Sequence, residues 1–344
     1  MKVNTKELRQ ALEFVRPGLA KKEMIAQSTS FAFVAGRVIT YNDEISISHP
    51  IPLEAVVGAT DAESLYKFLS RVTTEEIDVK STDTEILISA GKAKVGILLE
   101  REIRLPLTIT EVEQQATWKT LPEKFLHALR FVLFSCATNM SLPALMCVHV
   151  REDGIIESCD NFRLTQYKVE GNIPHFLLPF STVQELVKFD ITEYYHNPTS
   201  PGWVNFKTSQ GTIFSSRVYE ETFPDTTPIV QEGEPIAIEF PSAIEAVLAR
   251  GEVFTNERNL ETREMKVTIG AGVLTIQARN ETGWLNESAH IRYRGATIAF
   301  NISPKLLRDM VCEDRCCTVD MKKRQIRFTG NEWLHIITLS VDGG

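Results

Sequence analysis

The sequence predicts an α+β fold made of three equivalent bodies, each with two helices on antiparallel sheet, and three observations carry that reading. The first is a repeat. Ala11-Leu12-Glu13-Phe14-Val15 returns as Ala128-Leu129-Arg130-Phe131-Val132, with a looser copy around Val247-Leu248. Copies so far apart exceed the roughly 20 to 50 residues of solenoid units, so each is large enough to enclose its own core. The second is another amphipathic stretch inside each copy: Leu65, Phe68 and Leu69, then Val183, Leu186 and Val187, then Leu307, Met310 and Val311, all at helical i, i+3, i+4 spacing. The third is a pair of strand-like runs about a turn that closes each copy.

Those closing runs are Glu85 to Leu99, Trp203 to Val218 and Gln325 to Val341, each with a glycine near its centre. Runs of this kind read as β-hairpins. Ser30 to Ile39 alternates or runs apolar around Gly36 and adds further strand. Runs of strand broken by two helices per copy fit an α+β class in which sheet dominates. With 344 residues the chain is too long for one core, and the repeat spacing places domains at 1–112, 113–232 and 233–344.

Composition narrows the function by exclusion. Hydrophobic residues make 43% and charged residues 24% of the chain, as in an ordinary globular protein. No apolar run is long enough to span a bilayer, and Met-Lys-Val-Asn-Thr does not resemble a secretory leader. A cytoplasmic protein is therefore expected. The Asn139, Asn280 and Asn286 sequons carry no weight in that setting. Of six cysteines, three crowd into Cys312-Glu-Asp-Arg-Cys316-Cys317 and the other three, Cys136, Cys147 and Cys159, sit in apolar contexts. A zinc site commonly needs two CxxC-type pairs. Neither a metal nor a cofactor is expected.

Catalytic motifs are missing as well. Gly270-Ala-Gly272 lacks the continuation of a dinucleotide loop and reads as a hairpin turn. His127 and Cys136 lie near one helix, yet nothing supplies the orienting third group or oxyanion site that a nucleophile needs. The expected protein is not an enzyme.

Charge placement says more than the total of −8. The predicted helical segments carry net positive charge, so strands and loops are more acidic than the average. Lys6, Arg9, Lys21, Lys22, Arg71, Arg130, Lys188, Arg250 and Arg308 sit on or beside those helices. Exposed helix faces often hold such residues for solubility alone. If all the helices shared one side, however, they would form a weakly basic wall that touches phosphates without reading bases.

Four segments, in order, resemble a known family. Ser158 to Thr165 (SCDNFRLT), Glu221 to Asp225 (ETFPD), Ala249 to Glu257 (ARGEVFTNE) and Ala299 to Leu307 (AFNISPKLL) are similar to stretches of the bacterial DNA sliding clamp, the beta subunit of DNA polymerase III. The resemblance covers essentially the whole chain. It implies three clamp domains per chain, a head-to-tail homodimeric ring around double-stranded DNA, and a sequence-independent processivity function. Polymerase and clamp loader would dock through short peptide motifs. A non-ring interaction module of the same fold, competing with another clamp, is the alternative.

Carried over residue by residue, the resemblance places Lys21 and Lys22 in a DNA-facing loop. Val95 and Ile97 would meet Val253 and Phe254 across the dimer contact. A groove for partner peptides would be lined by Leu142, Asn161, Phe162, Arg163, Leu164, Pro224, Ile229, Ile336 and Ile337, and an apolar groove with one arginine suits an extended peptide with hydrophobic anchors. The chain departs from the family at its end, Thr338-Leu-Ser-Val-Asp-Gly-Gly, at Asn139-Met-Ser-Leu-Pro, and at Cys159 and Asn161.

Overall fold

A computed structural model describes residues 1–106, 112, 116–138, 142–197, 202–255 and 264–340. The expected boundary beside residue 113, the start of the Asn139 loop, the end of the Ala249–Glu257 motif and the final four residues lie outside the described residues. In chain order the elements begin β1 (Lys2–Asn4), α1 (Thr5–Val15), β2 (Ser30–Val34), β3 (Arg37–Tyr41), β4 (Ile45–Pro50), β5 (Gly58–Asp61), α2 (Ala62–Arg71), β6 (Glu76–Ser81), β7 (Glu85–Ala90) and β8 (Ala93–Leu98). They continue with β9 (Lys119–Thr120), α3 (Phe125–Val132), β10 (Cys147–Val150), β11 (Ile155–Cys159), β12 (Arg163–Lys168), β13 (Phe176–Pro179), α4 (Phe180–Leu186), β14 (Ile191–His196), β15 (Trp203–Thr208) and β16 (Ile213–Arg217). The last group is α5 (Thr227–Val230), β17 (Ile236–Glu239), α6 (Ile244–Glu252), β18 (Met265–Gly270), β19 (Val273–Arg279), β20 (Trp284–His290), β21 (Ile298–Ile302), α7 (Pro304–Val311), β22 (Cys316–Asp320), β23 (Gln325–Thr329) and β24 (Trp333–Thr338).

The chain forms two compact units: Met1–Leu126 with Phe176–Glu220, and His127–His175 with Glu221–Gly344. The first holds a four-stranded sheet, β1-β6-β7-β8, and an eight-stranded sheet, β5-β2-β3-β4-β16-β15-β14-β9. Helix α1 buries Leu8, Ala11, Leu12 and Val15, the spacing of one helical face. Its N-terminus is capped by Asn4, whose side chain accepts from the Lys6 and Glu7 amides at 2.9 and 3.1 Å, an arrangement worth about 1 kcal/mol.

In the second unit β10-β11-β12-β24-β23-β22-β17 run side by side, and β20-β19-β18-β21 form a separate sheet. Helices α6 and α7 bury Val247, Leu248, Leu307 and Met310 in one core with Ile269, Phe300 and Phe328. The Gly270-Ala-Gly272 turn joins β18 to β19, with Ala271 and Gly272 at φ 52° and 76°. Left-handed backbone of this kind is what glycine supplies in a tight hairpin.

The repeat extends to single hydrogen bonds. Asn42, Asp160 and Asn280 each sit in the turn of a hairpin and accept two following amides on one side-chain oxygen: Glu44 and Ile45, Phe162 and Arg163, Thr282 and Gly283. Such Asx turns form because the short side chain mimics a backbone carbonyl. Isolated bridges Ala59–Glu100, Leu177–Tyr219 and Asn301–Ser340 likewise recur at the end of each closing hairpin. These landmarks align β4 with β12 and β20, and β16 with β24 and β8.

Candidate functional site

Strands β12 and β24 bring together much of the expected groove. They pair antiparallel, with Arg163 opposite Ile337 and Leu164 opposite Ile336. Because successive side chains alternate faces, Leu164 and Ile336 share one face, and Arg163 and Ile337 share the other. Leu164, Ile336 and Ile337 are buried. Phe162 is half-buried and packs on the core that contains Ile337, while its carbonyl accepts from the Thr338 amide at 2.8 Å.

Arg163 is committed to the fold. Its guanidinium contacts Asp160 at 3.1 Å and Asp309 of α7 at 3.0 Å, and lies over the Phe134 ring. Below it, Thr165 bonds both Ser135 and His335. His335 is fully buried, and burial, reinforced by the Arg163 charge, pushes its pKa down to about 3. The imidazole is therefore neutral at physiological pH.

The short helix α5 is anchored over the other face. The Thr226 hydroxyl donates to buried Glu157 of β11 at 2.8 Å, and Arg327 of β23 donates to the Val230 and Gln231 carbonyls at 2.9 and 3.1 Å. Glu157 also receives Gln166 and His149, and these contacts outweigh desolvation to hold its carboxyl below the usual range. Arg327 stands opposite Ile336, and Glu157 stands opposite Gln166, two residues along β12 from Leu164 and on the same face, so α5 is fixed on the face that Leu164 and Ile336 occupy. Pro224 and Ile229 on this segment are exposed, as are Asn161 and Leu142. The accessible apolar groups of the expected groove are thus Leu142, Pro224, Ile229 and the free edge of Phe162.

The expected DNA-facing cations divide into two classes. Arg250 pairs with Glu287 at 2.6 Å, Arg308 with Glu252 at 2.6 Å, and Lys188 with Glu185 at 2.8 Å. Lys6, Arg9, Lys21, Lys22 and Arg71 make no ion pair among the described residues, and Arg130 is exposed on α3. Lys21 and Lys22 top the loop that ends at Gln27, whose amide side chain bonds the Glu100 carboxylate, the Glu102 carbonyl and the Arg104 amide. The loop base is fixed and its lysines face solvent.

At the expected dimer contact, Val253 is 65% exposed and Phe254 is partly buried beside Gly283. Val95 is half-buried. Ile97 points into its own core, and the exposed apolar residue of that strand is Leu98, at 75%. The alternation of β8 explains the difference, since neighbouring residues face opposite ways.

Cys136 and His127 form no catalytic pair. Burial drives the Cys136 thiol up to about 12, and His127 packs against Phe131 and Tyr167. Among the described residues no group of His, Cys, Asp and Glu is arranged to hold a metal, and no helix is long and apolar enough to cross a membrane.

No protein-family model matches the sequence, and no curated protein matches it. Solved structures do. The DNA polymerase sliding clamp of Pseudomonas aeruginosa superimposes with a TM-score of 0.83 at 14% identity, covering 99% of each chain. The fold is the sliding-clamp fold. The clamp of Bacillus subtilis gives 0.82 at 18% identity over 99% of this chain and 98% of its own. The DNA polymerase III beta chain of Streptococcus pneumoniae gives 0.81 at 18%, covering 99% of both. Leu98, Gly96 and Trp284 are exposed residues of the edge strands β8 and β20 that the sequence reading did not single out. Their signal was an alternating strand whose exposed face carries a glycine or a large aromatic.

Proposed function

We propose that this chain is a DNA sliding clamp: a head-to-tail homodimeric ring that encircles duplex DNA and tethers a polymerase, without catalytic activity of its own. Whole-length likeness to three clamps supports the class. The observation that carries the ring is a pair of leftover strand edges. Inside the chain a β4-type strand meets a β16-type strand twice, β4 with β16 and β12 with β24. The third β4-type strand is β20 and the third β16-type strand is β8, and each is the open edge of a four-stranded sheet. Among the described residues neither edge strand has a partner strand on its free side, whereas two chains joined head to tail would pair both, and a two-fold rotation would close them into a ring. Open edges otherwise invite aggregation.

In such a ring processivity comes from topological linkage, so phosphate contacts work best weak and exchangeable. Ion-paired Arg250, Arg308 and Lys188 suit that, with Lys21 and Lys22 as the freer contacts. Leu142, Phe162, Pro224 and Ile229 are proposed to receive the hydrophobic anchors of partner peptides. The test is mass and retention. The protein should run at about twice the 38.8 kDa chain and stay on nicked circular duplex until the circle is linearised. Lys21→Glu with Lys22→Glu should shorten that retention several-fold. A monomer at micromolar concentration that does not stay on circles would overturn the reading.

A further inference from the structure

Resting on the ring reading above, the geometry points to a self-selecting lock at the joint, in which Trp284 of one copy fills a hollow left by Gly96 of the next. The two internal junctions supply the register. Leu164 stands opposite Ile336, and Ser46 opposite Ser215. One step further on, the Thr338 amide donates to the Phe162 carbonyl and the Arg217 amide to the Glu44 carbonyl, both at 2.8 Å. Counting from the Asx turns and the terminal bridges, the third member of the first series is Trp284 and that of the second is Gly96. The same count sets Asn286 opposite Lys94, Leu285 opposite Val95, and the Leu98 amide against the Thr282 carbonyl.

Backbone directions agree with this register. The Leu99 amide donates inward to Thr84, and the Gly283 carbonyl accepts inward from Asn280. Since antiparallel strands alternate the side to which residues turn their amide and carbonyl groups, Lys94, Gly96 and Leu98 present theirs to the open side of β8, as Trp284 and Asn286 do on β20. A shift by one residue would set inward groups against outward ones.

Side chains choose among the remaining registers. Trp284 is 68% exposed on its own chain, an unusual position for so large an apolar group. Around Gly96 the outer face of the first sheet holds a hollow of about 430 Å³, lined by Leu87, Lys80, Lys94 and Ser89 among others. Leu87 lies directly beside Gly96 in the adjacent strand and is 37% exposed. The Glu85 carboxylate reaches over Gly96, 3.0 Å from where a Cβ would stand; an indole that displaces this flexible side-chain end would cover Leu87 and place Lys80 and Lys94 at its rim, where ammonium groups favour an aromatic face. On the opposite face Leu285 meets Val95, and Phe254, which abuts Gly283, meets Ile97. Trp284 thus favours a partner with glycine at that one row, and a second copy of this chain has it.

Cysteine pairs read the register directly, because hydrogen-bonded neighbours about 5.5 Å apart lie within disulfide reach. In full-length protein Asn286→Cys with Lys94→Cys should form an intermolecular disulfide under mild oxidation, while Asn286→Cys with Lys92→Cys or with Gly96→Cys should form far less. Single-cysteine variants give the background from exposed Cys312 and Cys316. Trp284→Ala should weaken dimerisation at least tenfold with unchanged circular dichroism, and the Trp284 emission should shift to the blue as dimers form. A dimer that cross-links through a slipped pair, or one that tolerates Trp284→Ala, would overturn the lock while leaving the ring standing. A protein that stays monomeric would overturn both.

Discussion

The two internal strand junctions share one topology and differ in how their outer faces are covered. In the first unit Ser46, Ser48, Ser215 and Ile213 line the face beside β4 and β16, and all are buried. Ile213 packs in a cluster with Tyr41 and Leu105, against which Ile103, Trp118 and Trp203 also lie. In the second unit the matching rows are Leu164, Gln166, Ile336 and Leu334, and among the described residues the short α5 lies on that face, held by polar bonds from Glu157 and Arg327. Ile229 and Leu142 stay 38% and 49% exposed. A repeated joint can therefore be sealed with large apolar groups in one copy and left lightly roofed, with exposed apolar residues, in the other.

The largest effect that would break this comparison comes from the sealed joint. Leu105 is 4% exposed, so Leu105→Ala removes buried methyl groups and leaves a cavity, with an expected cost of about 3 kcal/mol. Peptide-resolved hydrogen exchange should show the loss across the β4–β16 region. Undiminished protection there would mean that the cluster is not what closes this face.

Acid should strain both joints, the second more than the first. The pKa of His49 is lowered to about 4 by burial and then by Arg37, and that of His335 to about 3. Both folded values lie below the ordinary histidine value, so the unfolded chain binds more protons and stability falls as pH drops below about 6.5. By pH 5 the fully buried His335 costs roughly 2 kcal/mol, and the partly solvated His49 costs less because water screens its charge. The His49 contribution levels off near pH 4, whereas that of His335 grows until about pH 3. His335→Gln should flatten the pH dependence of the second unit alone, and an unaltered slope there would refute its role.

Much of this was legible in the sequence, and the limits have physical causes. Helix faces and hairpins announce themselves through local spacing, which is why Leu65 and Leu69, Leu307 and Met310, or the runs about Gly91 and Gly211, could be read directly. Asn42, Asp160 and Asn280 also act locally, although only their shared bonding reveals them as one device. The sites resisted because burial is decided by what lies across the sheet. Nothing near Ile97 or Leu98 in the chain tells which of them faces inward, and the Asp309 partner of Arg163 lies too far along the chain to be read from either segment alone. The open edges of β8 and β20 emerge only from the order of strands.

The smallest expected change in stability is also the one that sharpens the comparison most. Ile229 sits exposed on α5, so Ile229→Ala should alter stability by no more than about 0.5 kcal/mol. If the lightly roofed joint is where partners dock, the same substitution should weaken binding of a short hydrophobic clamp-binding peptide about tenfold, since truncating a central apolar anchor costs more than 1 kcal/mol. Fluorescence anisotropy with a labelled peptide measures this on the full-length protein. Loss of stability without loss of binding would make α5 a structural cover like the one over the first joint, and the contrast between the two units would then be one of degree.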